Sequence, residues 1–277
     1  MKKSFCLLLL AGALTLASFT HRPLTWVAIG DSITYLNDHL NETGNRLTKG
    51  YMTQVKEKLP YITYINQGHN GWTTGNIARS IDKLGLISAD VYSIFLGTND
   101  WWHSNHLGSW QDYLDNTGDS TIYGSFRIII NKLRSLNKDA DIILITPMPR
   151  GDFVYISNSK NNAYGSYREK DGQSLEQVVA AIHDIGRYEK LKVLDLYHQR
   201  KLSVPHLVHF KHLRDSLTGN YKDYPYPDYV GIPFDPARDE YPYPVKAMDM
   251  TYDGLHPSDQ GDAFIAKKLV KILKHLH

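Results

Sequence analysis

The sequence predicts an α/β fold with helices packed on a parallel sheet. Short apolar runs recur along the chain and alternate with stretches whose apolar residues keep helical spacing. Several of the runs lead directly into a polar, glycine-containing string, the pattern of a strand that turns into a helix at a sheet edge. The runs at residues 25–29, 61–65, 91–96, 141–146 and 192–196 are assigned as strands. Between them, Ile122, Phe126, Ile129, Leu133 and Leu136 share one helical face, and Leu175, Val178, Val179 and Ile182 share another. Ile265, Leu269, Ile272 and Leu276 mark a last helix, with Ser258 as its N-cap.

The 277 residues suffice for one large domain, and 42% hydrophobic with 22% charged residues is the balance of an ordinary globular chain. The first residues read separately. Lys2 and Lys3 precede an apolar run that ends near Leu16 and gives way to Ala17 and Ser18. This is the pattern of a secretory signal peptide over 1–20, with an uncleaved anchor as the alternative. The rest, 21–277, is expected to form a single domain of an exported protein, periplasmic or secreted, with no stable membrane insertion after cleavage. Removing the leader removes Cys6, the only cysteine, so the mature chain forms no disulfide. It also takes the formal charge from +2 to about zero, which argues against nucleic-acid binding.

Four strings carry the chemistry. They are Gly30-Asp31-Ser32-Ile33, Asn66-Gln67-Gly68-His69-Asn70, Gly97-Thr98-Asn99-Asp100 and Asp253-Gly254-Leu255-His256. In this order the chain resembles the SGNH/GDSL family of serine esterases, from about Trp26 to the C-terminal helix. A serine hydroxyl needs a neighbouring base and a group that orients the base. Ser32, at a strand-to-helix turn, is the candidate nucleophile, against the reading that Asp31 and Ser32 only cap a helix. His256 is the candidate base, and Asp253, three residues earlier, its orienting acid. The resemblance implies an oxyanion hole from the Ser32 N–H, the Gly68 N–H and the Asn99 side chain. It also implies a three-layer α/β/α, flavodoxin-like sandwich, with a five-stranded parallel sheet in the order 2-1-3-4-5. Asp100 is expected to brace its loop. No cofactor and no metal are expected: His206, His209 and His212 share a helical spacing, but no carboxylate or cysteine joins them in a ligand pattern.

The substrate is less legible. Trp72, Trp101 and Trp102 follow the candidate oxyanion strings and are either platforms for a sugar ring or core residues. Arg150 follows the fourth strand and is open between a substrate carboxylate, such as a uronic acid, and an ion pair with Asp152 or another acid. An excursion at about 198–247 is rich in tyrosine and proline and either walls the cleft or supports the acid–base pair. These features favour an exported esterase acting on an acylated glycan, most of all on its O-acetyl groups. The alternatives are a lipolytic esterase or thioesterase and, more remotely, an inactive glycan-binding module.

Overall fold

The computed structural model describes residues 22–276. Strands β1 (Leu24–Gly30), β2 (Ile62–Gly68), β3 (Val91–Phe95), β4 (Asp141–Ile145) and β7 (Lys192–Leu194) form a parallel five-stranded sheet, in the order β2-β1-β3-β4-β7. Two antiparallel ribbons lie outside it: β5 (Phe153–Val154) with β6 (Asn162–Ala163), and β8 (Lys211–Arg214) with β9 (Tyr221–Tyr224). Each strand expected from the sequence is present, and their order is the expected one.

The inner strands β1, β3 and β4 are largely apolar on both faces, because helices cover both. Side chains alternate across a strand. Val27 and Ile29 of β1, Tyr92 and Ile94 of β3, and Ile142 and Leu144 of β4 enter one core. Trp26 and Ala28, Val91 and Phe95, and Ile143 and Ile145 enter the other. The first core is closed by α3 (Thr74–Ser80), α5 (Trp110–Asp115), α6 (Ile122–Leu136) and α7 (Leu175–Glu189). The second is closed by α2 (Tyr51–Lys58) and α8 (Asp259–Leu273). Trp26 is the one large polar-tipped ring that β1 buries, and its indole N–H donates to Ser93 Oγ at 2.9 Å, so no donor is stranded.

Local signals set the helix starts. Thr121 caps α6, Ser174 and Gln177 form a capping box on α7, and Ser258 caps α8. Two very short helices matter for the site: α1 (Ser32–Tyr35), directly after β1, and α4 (Thr98–Trp102), after β3. The connections from β1 and β3 leave in opposite directions, which opens a crevice at the carboxyl ends of these strands.

One expectation fails here. His206, His209 and His212 do not share a helix. His206 ends a single 3₁₀ turn (Val204–His206) that contains Pro205, and His212 lies in β8, where Asp223 Oδ1 meets its Nδ1 at 2.5 Å. Helical spacing was present without helix-forming context: the ladder to β9 takes the backbone that a helix would have used.

Candidate active site

Ser32 occupies the first position of α1, where a backbone N–H has no acceptor within its own helix. Asp31 caps that turn by accepting from Ile33 N at 3.0 Å. The Ser32 Oγ lies 2.8 Å from His256 Nε2, and His256 Nδ1 lies 2.7 Å from Asp253 Oδ2. The other Asp253 oxygen accepts from the Leu255 and His256 N–H groups at 3.0 and 2.7 Å. Asp253 is therefore a buried carboxylate with both oxygens engaged, and a histidine donating to it through Nδ1 carries its lone pair on Nε2, facing the serine. Tyr252 stacks along the imidazole and Phe153 meets it edge-on, with ring centroids at 5.7 and 5.4 Å, which holds the ring in plane.

The turn that presents this pair is locked from behind. Gly254 has φ +88°, and a Cβ there would stand 1.9 Å from the Asp152 carbonyl oxygen, so only glycine fits. Gly151 N donates to Gly254 O at 2.8 Å, and Val154 N to Asp253 O at 3.3 Å. The tyrosine- and proline-rich excursion acts on this clamp. The Tyr243 hydroxyl donates to Asp152 O, and the Tyr241 hydroxyl to Val154 O at 2.9 Å. Tyr243, Val208 and Ala247 also pack on Val154. No residue of 198–247 lines the cleft in front of Ser32. Of the two roles open at the sequence level, this contact pattern is that of a support.

Asp31 is almost fully buried, and burial pushes its carboxyl up to about 6 against the hydrogen bond from Ile33, which lowers it. An unfolded chain ionises this group near 3.8. Between those values the folded state binds more protons than the unfolded one, so this residue's contribution to stability falls as pH rises through that window. Asp31→Asn keeps a capping oxygen and removes the titration. The variant is expected to be more stable than the parent at pH 8 by on the order of 2 kcal/mol, with the gain shrinking towards pH 4.5. Denaturant midpoints at the two pH values check this; an equal gain at both would show that buried charge is not the cause.

Of the three residues expected to form an oxyanion hole, one lies away from the cleft. Gly68 ends β2 and does not line the cleft. Its N–H donates to Asn66 Oδ1 at 2.9 Å, and it is glycine because a Cβ would stand 2.1 Å from Tyr35 N in the turn after Ser32. Gly71 lines the cleft instead, together with Ser32, Asn99 and His256, and its N–H makes no hydrogen bond among the described residues. The Asn70-Gly71 turn dipeptide just before Thr73, the N-cap of α3, was the available signal. Asn99 is in place on α4; Nδ2 donates to the Trp72 carbonyl at 3.0 Å, which orients the amide and leaves its second hydrogen. Asp100 accepts from Thr74 N and Oγ1 and from Asn105, so it braces its loop.

The cleft has a volume of about 390 Å³. Trp102 and Arg150 line it; Trp72 and Trp101 do not. Trp101 is fully buried, with its indole N–H on the Gln173 carbonyl at 2.9 Å, so no sugar can stack on it: it belongs to the core. Trp72 lies against His69, ring centroids 4.1 Å apart, and acts on the site through its carbonyl. Arg150 makes no pair with Asp152, whose carboxylate takes Lys211 Nζ at 2.8 Å, Gly165 N at 3.0 Å and the Tyr167 hydroxyl. Away from the cleft, His183 Nε2 and His198 Nδ1 both meet Asp195 Oδ2, at 3.0 and 2.8 Å; among the described residues this is the one group with metal-ligand spacing. The carboxylate ties α7 to the segment after β7.

Comparison with known proteins agrees with this architecture. A structure described as a possible lipase from Chitinophaga pinensis DSM 2588 is 60% identical, with a TM-score of 0.90 over 91% of this chain and 98% of that one. A carbohydrate esterase of family 3 from Talaromyces cellulolyticus (18% identity, TM-score 0.51, 91% and 97% covered) shares the fold. So does an acetyl-xylooligosaccharide esterase from Geobacillus (19%, 0.50, 91% and 94%). Among curated proteins none matches. The family model for GDSL-like lipases and acylhydrolases matches residues 28–264, so the chain belongs to this family of ester-cleaving serine hydrolases.

Proposed function

We propose that Ser32, His256 and Asp253 cleave a small acyl ester by way of an acyl-enzyme, and that the preferred group is an O-acetyl on a carbohydrate. The observation that carries the mechanism is the unbroken relay from Ser32 Oγ through His256 to Asp253, at 2.8 and 2.7 Å, opening on the cleft. Ser32 Oγ attacks the ester carbonyl while Nε2 takes its proton, and Asp253 stabilises the imidazolium. The oxyanion is held by the N–H groups of Ser32 and Gly71 and by the Asn99 amide. The imidazolium then protonates the leaving alcohol, and water repeats the sequence on the acyl-enzyme.

The cleft lining supports a short acyl group on a polar alcohol. Glu42, Asn70, His103, Arg150 and Asn161 share the lining with Leu36, Trp102, Phe153, Tyr155 and Leu255, so polar groups that suit a hydroxylated alcohol stand beside apolar surface for a small acyl group. The carbohydrate esterases that share the fold are consistent with this reading. Export remains part of the proposal. The leader lies outside the described residues, and no helix among those described is long and apolar enough to cross a membrane.

Acetate release from acetylated xylo- and gluco-oligosaccharides, set beside hydrolysis of octanoyl and longer aryl esters, tests the substrate. The acetyl substrates are expected to show at least about tenfold higher kcat/KM, since each extra methylene needs apolar surface to enter. A preference for the long chains would favour the lipolytic reading.

A further inference from the structure

Arg150 is the one strong cation on the lining of the cleft, and its role rests on the serine-esterase reading above. The Arg150 side chain is 1% exposed. Its guanidinium is packed among Trp101, Trp102 and Phe153, at 5.4, 5.1 and 6.0 Å from their ring centroids. Aromatic faces attract the charge but offer none of its N–H groups a lone pair. Nε is buried without an acceptor, and no carboxylate among the described residues bonds the group. The acids near enough to matter are already occupied. Asp152 serves Lys211, Gly165 and Tyr167; Asp253 serves His256 and two amides; Asp31 serves Ile33.

A buried guanidinium with idle donors is costly for a fold to keep. Burial lowers its pKa to about 10, which still leaves it charged at neutral pH. Leu or Met would fill much of the same space without that cost. Arg150 lines the same cleft as Ser32, Asn99 and His256, so a substrate bound for attack by Ser32 passes within reach of it. Glu42, the other strong charge on the lining, is held by the Tyr35 hydroxyl at 2.9 Å and repels an anion from its own wall.

We infer that Arg150 is a receptor for a carboxylate on the substrate, close to the ester that Ser32 attacks. A carboxylate matches the planar donor fork of a guanidinium, which ammonium does not reproduce. The carboxylate belongs either to the alcohol, as in an acetylated uronic acid, or to the acyl group, as in a dicarboxylic half-ester.

Two substrate pairs separate these sources. One is a mono-acetylated methyl glucuronide against the equally acetylated methyl glucoside; the other is 4-nitrophenyl hemisuccinate against 4-nitrophenyl butyrate. At least one pair should show a preference of about tenfold or more in kcat/KM for its charged member. Arg150→Met should bring that ratio near one, and Arg150→Lys should restore only part of it. Binding decides the matter without turnover. On Ser32→Ala protein, calorimetry should find glucuronate or succinate at least about tenfold tighter than glucose or succinamide, and salt should weaken the binding. Parity in both binding pairs overturns the carboxylate receptor, and it does so even if Arg150→Met fails to fold. Brisk hydrolysis with parity leaves the esterase intact. Turnover that survives Ser32→Ala overturns the esterase mechanism instead.

Discussion

Ser32→Ala is expected to lower kcat on a short aryl acetate by on the order of 10⁴- to 10⁶-fold while leaving the thermal midpoint within a few degrees. The hydroxyl makes one hydrogen bond, to His256, and its loss removes the atom that would carry the acyl group. His256→Ala should cost nearly as much, and the double variant little more than either single one, because a nucleophile without its base and a base without its nucleophile are equally idle. Asp253→Ala should be less severe in rate. It should also be the least stable of the three, since Asp253 accepts from two backbone N–H groups of its own turn besides the imidazole. Steady-state kinetics with an active-site titrant and calorimetric melting measure both. Near-additive losses in the double variant would show that the two residues do not act as one unit.

Asn99→Ala is expected to cost about 10²- to 10³-fold in kcat with little change in KM. In the proposed mechanism the amide meets the carbonyl oxygen only as that oxygen gains charge, so the ground state loses little. The same change also frees the Trp72 carbonyl, now paired at 3.0 Å, so a modest loss of stability should accompany it. Asn99→Asp puts an acceptor and a negative charge where a donor is needed and should be the more damaging variant. A rise in KM at constant kcat would place Asn99 in substrate binding rather than in charge stabilisation.

The placement of Ser32, Asn99 and His256 on one cleft, with Asp253 behind the histidine, was legible because each residue belongs to a short string. A cap after a strand, or an acid three residues before a histidine in a tight turn, is a local arrangement that nearby residues enforce. The strands were legible for a related reason. A sheet covered on both faces needs unbroken apolar runs, and few other structures do. Their ends overran or fell short by a few residues, as at β7, where the expected strand reached 196 and the observed one stops at Leu194. There the side chain of Thr146 takes the N–H groups of Leu196 and Tyr197 and ends the ladder.

Gly68, the expected oxyanion glycine, ends β2, whereas Gly71 lies three residues on, in the turn before α3. One glycine serves a close approach to the chain at Tyr35, and the other faces the cleft; the register of β2 against β1 decides which. That register is a contact between segments more than thirty residues apart. Three further outcomes were likewise decided by partners remote in sequence: the burial of Trp101 under Gln173, the capture of Asp152 by Lys211, and the docking of Tyr241 and Tyr243 behind the catalytic turn. By itself the sequence determined the sheet, its order through the family resemblance, and the strings that bring Ser32, His256 and Asp253 into hydrogen-bond reach, because these rest on periodicity and local turns. Only the tertiary structure decided which side chains reach the cleft and that Arg150 is buried there without a carboxylate among the described residues, because burial and pairing are set by whatever long-range packing brings alongside.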